Sequence, residues 1–288
     1  MKSSKTAFLF VSCLVAILVV GIYFVGIDDI SSDNNTPSSS NKKKDVMWGY
    51  EFIGQETRNN HEKPVKIAIL DSGINKSHKE FNNLTFYEFN ATNPGKPVED
   101  KYGHGTAIAG IIAARGEKVK GISQNAIIYD VKVLDKSGKG KVEDVVKGIN
   151  WCVEQKVDII NISFGFEKDY KALHDAINNA LHNNIIVTAA SGNTLGLTVE
   201  YPAKYRGVLS ISSFDKELKI DPISAKGKID FSAPGVNIKS TDKNGGYSKV
   251  GGTSFSTAFT TGAIGCLISK RKYLKRIIIN YSKRMLLI

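Results

Sequence analysis

Apolar and polar positions divide the chain into three regimes. Residues 7–27 are apolar almost without interruption and carry no charge, whereas residues 31–44 are Ser, Asn, Asp, Thr, Pro and Lys with nothing to bury. From Val65 onward, short Ile- and Val-rich runs alternate with stretches whose apolar residues recur every three or four positions. The runs at 65–70, 128–134, 157–163, 185–190 and 208–212 are too short for core helices and predict buried strands. Val142, Val145, Val146, Ile149 and Val153 predict one amphipathic helix, and Tyr170, Leu173, Ile177 and Leu181 another. A further helix is predicted where Gly251-Gly252-Thr253-Ser254 gives way to the small and apolar residues 255–268.

Strands alternating with helices of this length imply a three-layer α/β fold, a mostly parallel central sheet with helices on both faces. In such sheets the working residues gather just beyond the carboxyl ends of the strands. The polar residues that follow the apolar runs are Asp71, Ser163 and Ser191-Gly192-Asn193.

Charge changes little in this picture. Of the net +11, residues 270–288 supply +7 and residues 1–44 supply +2, five Lys against Asp28, Asp29 and Asp33. Residues 45–269 are left with +2, which argues against a nucleic-acid partner. Cys13, Cys152 and Cys266 are far apart and form no metal-ligand pair; the last two sit in apolar helical patterns and are expected to be buried free thiols.

The run at 7–27 is long enough to span a hydrocarbon core and reads as a membrane anchor or a signal peptide. Its length and the want of a small-x-small site favour the uncleaved anchor. Lys2 and Lys5 before it and Asp28 and Asp29 after it place residues 1–6 inside and the rest of the chain outside the cytoplasm, secreted if the segment is cleaved. Residues 28–64 are then a linker and N-terminal extension.

Gly103-His104-Gly105-Thr106 opens a second small-residue helix and presents a histidine at its start. A dinucleotide-binding reading fails, because the next glycine, Gly110, is five places after Gly105 rather than three. Asp71, His104 and Ser254 together supply what acyl transfer to an alcohol requires. A base must take the hydroxyl proton during attack, and a carboxylate behind that base fixes its tautomer. Asn193 could donate its side-chain N–H to the oxyanion.

With these motifs in hand, the chain resembles the subtilisin-like serine proteases from about residue 65 to 269. The family's Asp, His, Ser order is kept in Asp71-Ser72-Gly73-Ile74, Gly103-His104-Gly105-Thr106 and Gly252-Thr253-Ser254. The resemblance implies that Asp71, His104 and Ser254 are catalytic and that Asn193, in Ala189-Ala190-Ser191-Gly192-Asn193, is the oxyanion donor. It further implies that Ser163, Phe164 and Gly165, in Asn161-Ile162-Ser163-Phe164-Gly165, bind an extended peptide.

Ala258 stands where the family usually has proline, and Ala107 where a second histidine is common; neither change removes a catalytic group. The loop at 115–120 lacks the Asn-rich sequence that wraps calcium in many relatives, and Glu80 is a lone carboxylate there, so no tight calcium site and no cofactor are expected.

Many secreted relatives carry a sizeable folding pro-domain, and only residues 30–64 separate the apolar run from the first strand. Either the domain folds unaided or a processing step is absent. Residues 270–288 match nothing expected after the serine helix; they are either a basic amphipathic tail for a membrane surface or a truncated end.

Glu200 falls where a glycine commonly floors the primary specificity pocket. A carboxylate there would select Arg or Lys, as in the family branch that removes leader peptides from lantibiotic precursors; the bland alternative turns Glu200 to solvent. The expectation is a monomeric, membrane-tethered serine endopeptidase acting on peptides or proteins. Its competitor is an impaired relative that only binds peptides.

Overall fold

The computed structural model describes residues 47–53, 63–270 and 275–280. The apolar run at 7–27 lies outside them, and among the described residues no helix is long and apolar enough to cross a membrane.

Seven strands form one sheet: β1 (Val65–Asp71), β2 (Thr85–Asn90), β3 (Ala126–Lys132), β4 (Ile159–Ile162), β5 (Ile186–Ala190), β6 (Leu209–Phe214) and β7 (Phe231–Pro234). Their order is β2-β3-β1-β4-β5-β6-β7 and every neighbouring pair is parallel. The interior strands are covered on both faces, which is why they read as continuous apolar runs: Ile67, Ala68, Ile69 and Leu70 in β1 are all fully buried. At about 1.5–3 kcal/mol for each large aliphatic side chain buried, such runs hold the sheet between its helix layers.

One layer contains α1 (Trp48–Ile53), α2 (His104–Ala113) and α5 (Thr253–Lys270), packed on Ile67, Ile69, Ile128 and Ile159. The other contains α3 (Val142–Glu154) and α4 (Lys171–His182), packed on Ala68, Leu70, Val131 and Ile160. The predicted amphipathic helices are these two, with Val145, Ile149, Leu173 and Ile177 buried on their inner faces. By contrast α5 is buried along most of its length, the mark of a helix inside the core.

Sequence periodicity gave no sign of β2, β7 or the antiparallel hairpin of β8 (Ile238–Thr241) and β9 (Tyr247–Val250). Residues 275–280 are helical; Ile278 and Ile279 pack on the α2 and α5 layer, and Lys275 pairs with Asp158. Cys152 and Cys266 are buried thiols in no disulfide; Cys266 donates to the Ile122 carbonyl, and burial suppresses the acidity of Cys152.

Strands are added on one side of β1 as β2 and β3 and on the other as β4 to β7, so the connectivity changes direction beside β1. A crevice outside the carboxyl ends of β1 and β4 is where such sheets place their ligands.

Candidate active site

Asp71 closes β1 and is 1% exposed, while Ser163 follows the last residue of β4. His104 is the first residue of α2, and its side chain keeps 20% of its surface. Its Nδ1–H donates to both Asp71 oxygens at 2.9 Å, which leaves the Nε2 lone pair free to act as a base. The close approach depends on Gly105, where a Cβ would stand 2.3 Å from the Gly73 carbonyl oxygen. Burial alone would lower the pKa of His104, but the Asp71 charge, its hydrogen bond and the Asp100 charge outweigh it and raise the value.

Ser254 is the second residue of α5, at the end of the helix where unpaired N–H groups favour negative charge. The chain reaches it through Gly252, whose φ of 116° suits glycine and whose Cβ would lie 2.8 Å from Asn193 Nδ2. The Ser254 hydroxyl donates to the Ser163 carbonyl at 2.6 Å, and among the described residues no hydrogen bond joins it to His104. The imidazole nevertheless stands beside the next residue, with 5.3 Å between the His104 and Phe255 ring centroids. To donate to Nε2 the hydroxyl must first leave the Ser163 carbonyl.

Asn193 Oδ1 accepts from the Thr253 N–H and hydroxyl, both at 3.1 Å. That fixes which end of the amide faces the helix and leaves the NH₂ group to donate beside Ser254.

The Ser163 side chain is engaged within the protein. Its hydroxyl accepts from Asn161 Nδ2 at 2.8 Å and donates to the Ser254 carbonyl at 3.0 Å. Asn161 Oδ1 in turn accepts from Thr261 of α5 at 2.9 Å, and Thr261 shares a 2.7 Å hydrogen bond with Thr188 of β5. This buried polar chain ties β4 and β5 to the serine helix.

Two charged residues outside the sequence motifs stand behind the Asp71–His104 pair. Asp100 accepts hydrogen bonds around the start of α2, and the buried Lys132 ammonium donates to the Ser72 carbonyl, its pKa lowered by burial. An acidic residue just before a helix start is a capping signal that could have revealed Asp100. Nothing in the pattern around Lys132 marks it.

The sequence profile of the Peptidase S8 subtilase family matches residues 62–285, from before β1 to beyond the helical turn at 275–280. The chain belongs to the subtilase family. The minor extracellular protease Epr of Bacillus subtilis (strain 168) is 40% identical over 199 residues, which make up 68% of this chain and 30% of that protein. Subtilisin amylosacchariticus of Bacillus subtilis subsp. amylosacchariticus is 36% identical over 72% of this chain and 56% of its own length. The subtilase described here thus spans about half, or less, of these curated relatives. The crystal structure of a cold-adapted subtilisin-like serine proteinase superposes with a TM-score of 0.73 and 26% identity, covering 82% of this chain and 90% of the other. Sphericase, at 24% identity and a TM-score of 0.72, shares the fold.

In this subtilase Glu200 is half-buried and held by its backbone between two strand ends. Its N–H donates to the Ser191 carbonyl at 2.9 Å, and the next residue, Tyr201, exchanges backbone hydrogen bonds with Phe166 at 2.7 and 2.9 Å. A Cβ on either Gly165 or Gly192 would stand 2.6 Å from Glu200 Oε2, so the carboxyl lies against both glycines. Half-buried Phe164, the residue before Gly165, packs edge-on to Phe166. Burial, and then the neighbouring Glu167 charge, hold the Glu200 carboxyl above the usual carboxylate range. Among the described residues no hydrogen bond or ion pair engages it.

Proposed function

We propose that the protein is a serine endopeptidase that hydrolyses peptide bonds through an acyl-enzyme and prefers Arg or Lys on the acyl side of the bond. Ser254 attacks the carbonyl carbon while His104 Nε2 takes its proton, and Asp71 stabilises the imidazolium. The Asn193 amide and the N-terminus of α5 receive the charge that develops on the carbonyl oxygen. His104 then returns the proton to the leaving amine, and water, deprotonated by the same imidazole, releases the acid. The observation that carries this reading is the bifurcated Asp71–His104 hydrogen bond beside the start of the Ser254 helix, at the carboxyl edge of the sheet.

The Arg or Lys preference rests on Glu200, a half-desolvated carboxylate with no counter-charge in its recess. A cationic side chain entering there would supply the missing partner. Such a preference suits removal of a leader from a precursor peptide.

The uncharged run at 7–27 and the polar stretch after it support a tether that holds a monomeric catalytic domain outside the cytoplasm. No calcium is required in this reading. The Glu80 carboxylate, the oxygen ligand a calcium ion would need near the loop at 115–120, is met by the N–H groups of Lys118 and Val119 and by the Tyr247 hydroxyl. Those donors would face an incoming cation with their hydrogens, so the residues present do not fit the ion.

Matched peptides ending in Arg and Phe test the specificity. The native enzyme should favour Arg, and Glu200→Gln, which keeps the shape and removes the charge, should cut that preference about 10–100-fold. Faster cleavage after Phe by the native enzyme would reject the assignment.

A further inference from the structure

We infer that Asp100 is a positioning residue for the reaction, the group that keeps the carboxylate of Asp71 and the imidazole of His104 in register and places a second negative charge behind the imidazolium. The inference rests on the reading of Asp71, His104 and Ser254 as the catalytic set.

Asp100 lies in the loop between β2 and α2 and is half-buried. Five donors converge on its carboxylate. Oδ1 accepts from the Ser72 hydroxyl at 2.8 Å, the Tyr102 N–H at 3.1 Å and the Gly103 N–H at 2.6 Å. Oδ2 accepts from the Thr106 N–H at 3.0 Å and the Thr106 hydroxyl at 2.6 Å. Ser72 extends the set, because its hydroxyl accepts from the Gly105 N–H at 3.0 Å while its own N–H donates to Asp71 Oδ1 at 2.8 Å.

The backbone N–H groups on both sides of His104 are therefore fixed, directly or through one hydroxyl, to a single carboxylate. Through that same hydroxyl's residue the carboxylate reaches Asp71. The turn after β1 and the first turn of α2, 33 residues apart along the chain, are pinned at one point. A further bond closes the arrangement, as the Thr106 hydroxyl accepts from the Asn75 N–H at 2.9 Å.

A neutral cap could satisfy some of these donors, but three of the five are backbone N–H groups and both hydroxyls already accept from another N–H, so the set calls for a group that only accepts. The charge matters as well. The start of α2 carries the positive end of its helix dipole, and the imidazole must become cationic during the attack. The charges acting on His104 are those of Asp71 at the end of β1 and Asp100 from the loop, and the Tyr102 ring lies 6.2 Å from the imidazole between centroids; farther out, the Lys132 ammonium donates to the Ser72 carbonyl and the Lys243 ammonium to the Lys101 carbonyl. Asp100 thus adds to Asp71 in offsetting the burial that opposes the imidazolium. It touches neither substrate nor reacting atoms in the proposed mechanism, so its contribution passes through His104.

The test compares the full-length enzyme with Asp100→Asn, Ser72→Ala and Ser254→Ala on one peptide substrate. It measures kcat, KM and the pH profile of kcat/KM, with active sites counted by titration. Asp100→Asn keeps the volume but turns an NH₂ group on one set of donors. It should lower kcat at least tenfold with KM little changed, and should move the acid limb to lower pH because the imidazolium loses a stabilising charge. Ser72→Ala leaves the carboxylate and cuts one tie, so it should lower kcat less and leave the acid limb in place.

A native kcat and pH profile in Asp100→Asn, or a loss explained wholly by the titrated fraction of active sites, overturns the proposal. Should Asp100→Asn fail to fold, Ser72→Ala decides it, and an unchanged kcat there has the same consequence. Ser254→Ala separates this failure from that of the underlying reading. If it still turns over substrate, the catalytic set is wrong, whereas an inactive Ser254→Ala beside a native-like Asp100→Asn refutes Asp100 alone.

Discussion

Glu200 and His104 face opposite demands from their surroundings. Glu200 is pushed toward its neutral form by burial and by Glu167, with no cation to offset them. His104 is pushed toward its charged form, because Asp71 and Asp100 outweigh its burial. Since kcat/KM reports the free enzyme, the preference for Arg over Phe should be full at high pH. It should fall as pH drops through the raised Glu200 value, beginning above the usual carboxylate range. His104 serves both substrates equally, so its titration cancels from the ratio and cannot imitate the effect. A ratio independent of pH through that window would show that Glu200 does not line the pocket.

The elements are bonded to one another by buried side chains. The link through Asn161, Thr188 and Thr261 joins β4, β5 and α5 inside the core, where no water can replace a lost partner. Thr261→Val keeps the shape and strands Asn161 Oδ1. The expected cost is about 1–3 kcal/mol, seen as a fall of several degrees in Tm; an unchanged thermal unfolding curve would contradict the role given to this chain.

Links of this kind also mark the limit of what the sequence discloses. Ile67 to Leu70 and Ile159 to Ile162 announce themselves as buried strands because both faces of the sheet are covered. The edge strand β2 leaves Thr85, Tyr87 and Glu88 in water and shows no such run. Asp71, His104 and Ser254 stand in short local motifs that the sequence displays. Lys132 and Thr261 take their meaning from partners that the chain brings in from 60 to 100 positions away, and Asp100, whose local bonds form a cap, reaches Asp71 only through Ser72, 28 positions away. No local window contains those pairs.

At the scale of the whole molecule, the loop at 115–120 and the β8–β9 hairpin close over Glu80 with hydrogen-bond donors. A Cβ on Gly116 would lie 1.6 Å from Glu80 Oε2, so the loop sits directly on the carboxylate. Thermal unfolding in excess calcium and in excess EDTA should therefore coincide, and a lower Tm in EDTA would reveal a bound ion on which stability depends.

The seven-stranded sheet and its two helix layers bring residues 71, 104 and 254 to one edge, and the central claim is that they act there as one nucleophilic unit. Covalent labelling with a fluorophosphonate, read by mass spectrometry of the intact protein and its peptides, tests this most directly. The account predicts one adduct per chain, on Ser254, formed by the native enzyme and not by folded His104→Ala. A folded, unlabelled native enzyme, or an adduct that forms equally well without His104, would contradict it.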